Sequence, residues 1–335
     1  MEQFRALSLF QPPNFVAAID PRHDGERPKH LFGTVLSIPH TQGARVAAVL
    51  GFDFVFVDTL HTATNAENLV AIIQTINFAS EGKTCTLVRV PGPDSDLLTY
   101  ALDAGAAGVI FPLVETAAQA SAAVQKVRYA YSGGTRSLSP VALLDGITNT
   151  APAGWTAETI ADRNIAVICQ IESVLGVENA NAIAKTPGVN AIMLGSGDLR
   201  ASLGLPLRNP PGRGEDARFY AEVAKLVAAA KSHGMPLMIP AFRTDPDTVE
   251  WLRDFKLIIT SADVLSVVKS HRQELAGMKE ALGQNGHQNG RHNGNNGNHN
   301  GNHNGNGNNG NNGNNGNNGN HNGNHNGSNG NHDTR

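Results

Sequence analysis

Cysteines and long apolar runs are scarce in this chain, and each scarcity excludes a class of protein. With two cysteines in 335 residues, a disulfide framework and a cysteine-rich zinc site are excluded. No run of about 18 apolar residues occurs, which excludes a membrane-spanning helix. The first residues also lack a basic region followed by an apolar stretch. We therefore expect a cytoplasmic protein with no membrane partner.

An excess of positive charge is missing too. The chain has 26 Lys and Arg against 29 Asp and Glu, for a formal net charge of −3. Because nucleic-acid-binding domains usually carry a basic patch, we expect no nucleic-acid partner. Lysine is absent from all eight strands predicted below. Its absence there disfavours a lyase that uses a Schiff-base lysine.

Apolar residues almost disappear from residue 283 onward, where Asn, Gly and His dominate. Such a segment has nothing to bury against the entropy of ordering, so we predict a disordered tail over 283–335. The remaining length suits one α/β domain, since a barrel of eight βα units typically needs about 250 residues. We predict an N-terminal extension over 1–30 and a barrel domain over 31–282.

Short apolar runs alternate with longer Ala-rich stretches, which is the pattern of consecutive βαβ units and a parallel sheet. Eight runs without alternating polar residues favour a closed (β/α)8 TIM barrel over an open sheet. The predicted strands are Leu31–Ile38, Phe54–Asp58, Cys85–Val90, Gly108–Leu113, Ala166–Ile171, Ala191–Gly195, Pro236–Pro240 and Leu257–Thr260. The predicted helices are Gly43–Leu50, Asn65–Phe78, Ser95–Ala104, Thr116–Tyr129, Leu175–Ala184, Ala217–His233, Pro246–Phe255 and Ala262–Leu282.

Two successive strands are each followed by a carboxylate, Glu172 and Asp198. Active sites of such barrels lie at the carboxyl ends of the strands. Carboxylate oxygens suit Mg²⁺ or Mn²⁺ rather than zinc, since no His or Cys stands beside them. We predict a metal site there. The alternative is that each acid lies in the first turn of a helix and is neutralised by backbone N–H groups.

Other strand ends add three candidates for catalysis. Arg89 follows a buried strand with no evident local partner, so a substrate carboxylate or an enolate oxygen would satisfy it. The alternative is a structural salt bridge to Glu172 or Asp58. His61 lies three residues after Asp58, and we expect that acid to orient the imidazole for acid/base work.

We also predict roles for two further segments. The turn Gly195-Ser196-Gly197 opens a helix and offers free N–H groups that could hold a substrate carboxylate. The helix predicted over 262–282 has a wide apolar stripe. That stripe packs either on a neighbouring subunit or on its own barrel.

The residues at these strand ends resemble the signature blocks of the HpcH/HpaI aldolase family, the metal-dependent (class II) pyruvate aldolases. The similar blocks cover residues 51–61, 87–91, 102–108, 170–172 and 194–204. They occur in the family's order between about residues 31 and 282. The chain differs from the bacterial pattern at Leu60, where an acid commonly precedes the histidine, and at Gly195-Ser196-Gly197, where Gly-Pro-Ala is usual.

The resemblance implies a barrel that exchanges its last helix between subunits and assembles as a hexamer. It implies Glu172 and Asp198 as ligands of Mg²⁺ or Mn²⁺, and Arg89 as the residue that stabilises an enolate. It also implies His61 as general acid/base, with Asp103 as its partner across a subunit interface. The remaining implied positions are substrate contacts, at Gln170, Gly195 and Ser196.

These parts predict a divalent-metal-dependent carbon–carbon lyase that acts on a small 2-oxo acid through a pyruvate enolate. Retro-aldol cleavage and decarboxylation of oxaloacetate share that enolate. A third reaction, in which decarboxylation is coupled to addition of the enolate to a 2-pyrone, stays open. So does a catalytically silent barrel that binds a 2-oxo acid, which Leu60 favours.

Overall fold

Eight parallel strands close into a barrel in chain order, which confirms the predicted (β/α)8 fold. The structure is a computed structural model that describes residues 1–24, 29–140, 151–207, 214–242 and 250–284. Every predicted strand is present, with ends that differ by at most two residues. The strands are β1 (Leu31–Leu36), β2 (Phe54–Asp58), β3 (Cys85–Arg89), β4 (Gly108–Phe111), β5 (Ala166–Ile171), β6 (Ala191–Leu194), β7 (Leu237–Pro240) and β8 (Leu257–Ala262).

Helices follow most strands and cover the outer wall of the barrel. Polar residues begin several of them, because a side-chain oxygen can accept a backbone N–H of the first turn. Asn65, Ser95 and Thr116 do so. The helices are α1 (Phe15–Ile19), α2 (Thr41–Val49), α3 (Ala66–Ala79), α4 (Asp96–Asp103), α5 (Ala117–Val127), α6 (Ala157–Asn164), α7 (Val174–Glu178), α8 (Ala180–Ala184), α9 (Ser196–Ser202), α10 (Ala217–Ser232) and α11 (Asp263–Ala281).

Two of the predicted helices differ from the structure. The single helix predicted over 175–184 is wrong, because Asn179 interrupts it and separates α7 from α8. The Asn179 side chain donates to the carbonyl of Glu115, 2.8 Å away, and this contact holds the break. Of the helix predicted over 246–255, residues 250–254 form a 3-10 helix. Residues 246–249 lie outside the described residues, as does the predicted tail from residue 285 onward.

Side chains alternate between the barrel interior and the outer wall along each strand. In β2, Phe54 and Phe56 belong to the interior core, and Val55 and Val57 belong to the core under the helices. Continuing that alternation places Asp58 in the interior, at the carboxyl end. The same alternation holds along β3 and β5. Arg89 comes two residues after Leu87 and Gln170 two residues after Ile168, both of the interior core, so both polar side chains lie in the interior.

The amino-terminal end of the barrel is closed by apolar residues. Helix α1 lies before the first strand, and its Phe15 and Ile19 are buried within the interior core. The rings of Phe15 and Phe54 meet edge to face, with centroids 6.3 Å apart. The N-terminal extension therefore fills one end of the barrel with hydrocarbon.

Helix α11 stands apart from this packing. None of its 19 residues is buried, and it contacts chiefly β1 and β8. It carries six exposed large apolar residues, namely Val264, Leu265, Val267, Val268, Leu275 and Met278, and the exposed Leu282 follows its end. No helix of the described residues is long and apolar enough to cross a membrane.

Candidate active site

A buried ion pair joins the ends of β2 and β3. Asp58 and Arg89 are register partners in the sheet. The Nε of Arg89 donates to one carboxylate oxygen of Asp58 at 2.9 Å, and its Nη2 donates to the other at 2.7 Å. The Arg89 guanidinium also lies over the ring of Phe56, 5.3 Å from its centroid. A two-point contact of this kind fixes the plane of the guanidinium.

This pair corrects two expectations. Arg89 does have a local partner, so the prediction that it lacks one is wrong, and the alternative salt bridge to Asp58 is present. Asp58 does not contact the His61 imidazole. Instead it accepts the backbone N–H groups of Leu60 at 3.0 Å and His61 at 3.5 Å. Asp58 therefore positions Arg89 and the backbone of the loop after β2.

Two opposing effects act on the pKa of Asp58. Burial alone would raise it, but the hydrogen bonds and positive charge of Arg89, together with the two backbone N–H groups, hold it below its usual value. The folded protein thus favours the ionised form of Asp58, which holds Arg89 in its orientation. Within the described residues no partner is recorded for Nη1 of Arg89, which stays available to a further acceptor.

Glu172 directly follows β5 and is 7% exposed. One of its oxygens accepts the backbone N–H of Leu113 at 2.8 Å, and the other accepts the side-chain amide of Gln170. Burial raises the pKa of Glu172 to about 7, and the negative charge of Asp198 acts in the same direction. Two carboxylates that share one site repel each other when both are ionised.

The second acid, Asp198, lies in the first turn of α9 and is exposed. Its carboxylate accepts no recorded backbone N–H from the described residues, so neutralisation by a helix terminus does not explain its position. Gly195, the residue before α9, lies against Glu172. A Cβ on Gly195 would stand 2.5 Å from both Cβ and Oε2 of Glu172, so a larger residue would displace that carboxylate.

The donor atoms fit a hard divalent cation. Glu172 and Asp198 supply carboxylate oxygens, and Oε1 of Gln170 is buried with no hydrogen-bond partner. A cation between the two acids would relieve the repulsion that raises the pKa of Glu172, and a bound water would satisfy Gln170. No cluster of three or more His, Cys, Asp and Glu exists within the described ranges. The remaining coordination positions would therefore belong to water or substrate.

The predicted acid/base residues are separated in this chain. His61 is exposed on the loop after β2, at the carboxyl end. Asp103 ends α4, which leads to the amino-terminal end of β4, and its carboxylate pairs with Arg136 at 3.0 Å. The two residues thus lie at opposite ends of one barrel. Their expected contact across a subunit interface stays a prediction.

The glycine turn differs in part from expectation. The amide of Gly195 is not free, because it donates to the carbonyl of Ile171 at 2.9 Å. Ser196, the first residue of α9, stays a predicted substrate contact. Sequence reasoning missed Leu113, whose backbone has a φ of 51° and whose N–H holds Glu172. A left-handed leucine has no signature in one sequence.

Ionisable residues gathered at the carboxyl ends of a closed parallel barrel define a barrel enzyme, since catalytic groups of this fold come from strand ends. The comparisons with known proteins give the particular class. The model of the HpcH/HpaI aldolase/citrate lyase family matches residues 36–255, and the chain belongs to that family. It is an enzyme of the carbon–carbon lyase class, from a family that acts on keto acids.

Two relatives that are similar in sequence are aldolases. The chain is 32% identical to a hydroxypyruvate/pyruvate aldolase of Paraburkholderia phytofirmans, over 73% of this chain and 92% of the relative. It is 30% identical to a 5-keto-4-deoxy-D-glucarate aldolase of Klebsiella pneumoniae, over 69% and 85%. The crystal structure of macrophomate synthase matches with a TM-score of 0.76 and 31% identity, over 84% of this chain and 94% of that one.

Proposed function

We propose that this protein is a divalent-metal-dependent lyase that cleaves a carbon–carbon bond of a 2-oxo acid and forms a pyruvate enolate. The observation that carries the proposal is the pair of acids after β5 and β6, with the pKa of Glu172 raised to about 7 beside Asp198. A buried acid that is costly to ionise alone becomes a strong ligand when a cation neutralises it.

The proposed cofactor is Mg²⁺ or Mn²⁺, held by Glu172 and Asp198. When bound, a divalent cation supplies positive charge that stabilises the enolate oxygen. Gln170 and the Leu113 N–H orient Glu172 toward it. Gly195 leaves the space that the carboxylate occupies.

Arg89 would bind the oxygen that becomes negative as the bond breaks. Its Nε and Nη2 are held by Asp58, so Nη1 is presented in a fixed direction. A donor oriented before the reaction needs no reorganisation when charge develops. Asp58 acts in this proposal by positioning Arg89.

His61 would move the proton. In a retro-aldol reaction, the 4-hydroxyl gives its proton to an imidazole nitrogen of His61, or to a water beside it, the C3–C4 bond breaks, and the aldehyde leaves. In oxaloacetate, the same bond breaks with loss of CO₂ and no proton is removed. Either way the electron pair remains on the enolate, and C3 then takes a proton from His61 or the water, which after decarboxylation is a proton supplied by solvent. Asp103 of a second subunit is the proposed partner of that imidazole.

A second reaction is favoured by one comparison. The match to macrophomate synthase covers 94% of that chain. It favours decarboxylation of oxaloacetate followed by addition of the enolate to a 2-pyrone. Both reactions use the same enolate, so the two acids and Arg89 serve either one.

Purified full-length protein tests the proposal. We expect pyruvate release from oxaloacetate or from a 4-hydroxy-2-oxo acid in the presence of Mg²⁺, and loss of that activity with a chelator. Assays with and without a 2-pyrone acceptor separate the two reactions. Full activity in excess chelator would contradict the metal dependence. Metal-dependent oxalate binding without turnover of any tested 2-oxo acid would instead favour the silent barrel.

We also propose that α11 packs on a second copy of this chain. The helix has no buried residue in its own chain, while Phe32 on β1 is 46% exposed and Val46 on α2 is 58% exposed. Strands of a parallel barrel are normally covered by helices. If two copies exchange this helix, α11 of one copy can cover the exposed strand residue Phe32 of the other.

Light scattering tests this assembly. Val267→Lys with Leu275→Lys places charges on the exposed apolar side chains of α11, and we expect the oligomer to dissociate. Lys269→Ala on the same helix is the control and should keep the wild-type mass. A wild-type protein that is monomeric at micromolar concentration would refute the proposal.

A further inference from the structure

The first residue of α11 contacts the catalytic end of the barrel. The carboxylate of Asp263 accepts the backbone N–H of Ser37 at 3.0 Å and that of Ile38 at 2.8 Å. Ser37 directly follows β1, so its loop lies at the carboxyl ends of the strands. Hydrogen bonds to an ionised acceptor are among the strong ones. Asp263 therefore fixes the loop after β1 to the base of α11.

That loop is connected in turn to the loop that carries His61. The hydroxyl of Thr62 donates to the carbonyl of Ser37 at 3.3 Å. The side-chain amide of Asn68, on α3, donates to the carbonyl of Pro39 at 2.6 Å and to the hydroxyl of Thr64 at 3.4 Å. The loops after β1 and β2 are thus joined at two points. Among the described residues the His61 side chain has no hydrogen-bond partner, so its position depends on these neighbours and on the contact of its own N–H with Asp58.

We propose that Asp263 is a positioning residue for His61, acting through Ser37 and Thr62. This inference rests on the proposed role of His61 and goes beyond it, because it assigns the placement of the proton-transfer loop to the base of α11. Loss of the Asp263 carboxylate frees two backbone N–H groups and the loop that they hold. Glu172 follows β5 and Asp198 lies in α9, so we expect both acids to keep their places.

Hydrogen–deuterium exchange of the full-length protein tests the proposal without reference to activity. In Asp263→Ala, and less strongly in Asp263→Asn, we expect residues 59–65 to exchange about tenfold faster. Thr62→Val should have a similar effect, because it removes the hydrogen bond to the Ser37 carbonyl while the Asp263 carboxylate stays in place. Asp53→Ala is the control. Its carboxylate also accepts a backbone N–H of β1, that of Phe32 at 2.9 Å, at the opposite end of the barrel.

Kinetics provide the second readout. For pyruvate release from oxaloacetate, we expect Asp263→Ala to lower kcat about tenfold, with KM and Mg²⁺ affinity within about twofold of wild type. If Asp263→Ala does not fold, Asp263→Asn and Thr62→Val carry the test. Unchanged exchange of 59–65 in the folded variants would overturn the proposal. A wild-type protein without lyase activity would refute the proposed function, whereas the exchange result would still decide the positioning role.

Discussion

The two ends of the barrel are built by the same eight strands and differ completely in chemistry. At the amino-terminal end, the interior holds Phe54 and is closed by Phe15 of α1. At the carboxyl end, the same alternation of side chains places Asp58 and Arg89 in the interior. Burial of apolar surface stabilises a fold, while burial of charge costs free energy unless partners are provided. Stability is thus concentrated at one end and reactivity at the other.

At the carboxyl end, the pKa values of two acids are shifted in opposite directions. Arg89 lowers the pKa of Asp58, whereas burial and Asp198 raise the pKa of Glu172. The charge of Asp58 is neutralised by Arg89, whereas Glu172 accepts hydrogen bonds only from the neutral N–H groups of Leu113 and Gln170. Glu172 is therefore the acid whose charge a bound cation would neutralise. The following predictions test the contrast between the ends, from the largest expected effect to the smallest.

Glu172→Gln should reduce pyruvate release by on the order of 10³-fold, because the amide cannot neutralise a cation. Its stability should stay the same or increase, since the repulsion with Asp198 disappears. Glu222→Gln is a matched control, as Glu222 is buried to a similar extent but pairs with Lys225 on α10. Assays of activity, Mg²⁺ affinity and Tm on both variants check this. Equal losses of activity would contradict the assignment.

Phe15→Ala should destabilise the fold by about 3–5 kcal/mol, because it empties a fully buried site at the amino-terminal end. Mg²⁺ affinity measured by calorimetry should not change. Phe10→Ala is the control, since Phe10 is 37% exposed and its ring meets that of Phe78 edge to face. Denaturant unfolding of the two variants compares them. Similar costs for both would show that α1 does not contribute to the core.

The pH dependence of stability should reflect Glu172 in the metal-free protein. Its pKa is about 7 in the folded state against a usual value of 4.5. Between these values the folded state binds more protons than the unfolded state, so stability falls as the pH rises from about 4.5 to 7. Added Mg²⁺ should restore stability above that range. Tm measured against pH in a chelator checks this, and in Glu172→Gln the fall should be smaller.

Leu113→Gly should have the smallest effect. Glycine adopts a positive φ without strain but increases the entropy of the unfolded chain, so the two effects nearly cancel. Leu138→Gly is the control, because Leu138 is similarly exposed and does not have a positive φ. Denaturant unfolding should show Leu138→Gly to be more destabilising by about 1 kcal/mol. An equal cost at both positions would mean that the backbone at Leu113 is not strained.

Local patterns were sufficient for the fold. The eight apolar runs and the polar residues that end them follow from hydrophobicity and turn chemistry, which are properties of short segments. The same patterns indicated Glu172, Asp198 and Arg89 as candidates. They left open whether Arg89 is free for a substrate or paired with Glu172 or Asp58, since that contact joins residues 31 positions apart. They also missed the break at Asn179, which depends on a contact with Glu115.

By itself the sequence determined a (β/α)8 barrel and the ionisable residues at the ends of its strands, because continuous apolar runs and the polar residues that follow them are features of short segments. Only the tertiary structure decided how those residues are paired. Closure of the barrel brings Leu113 to Glu172 and Asp263 to Ser37, from segments far apart in the chain. It also sets the burial that raises the pKa of Glu172. Pairing and burial depend on distances between strands, and the sequence of one strand does not determine those distances.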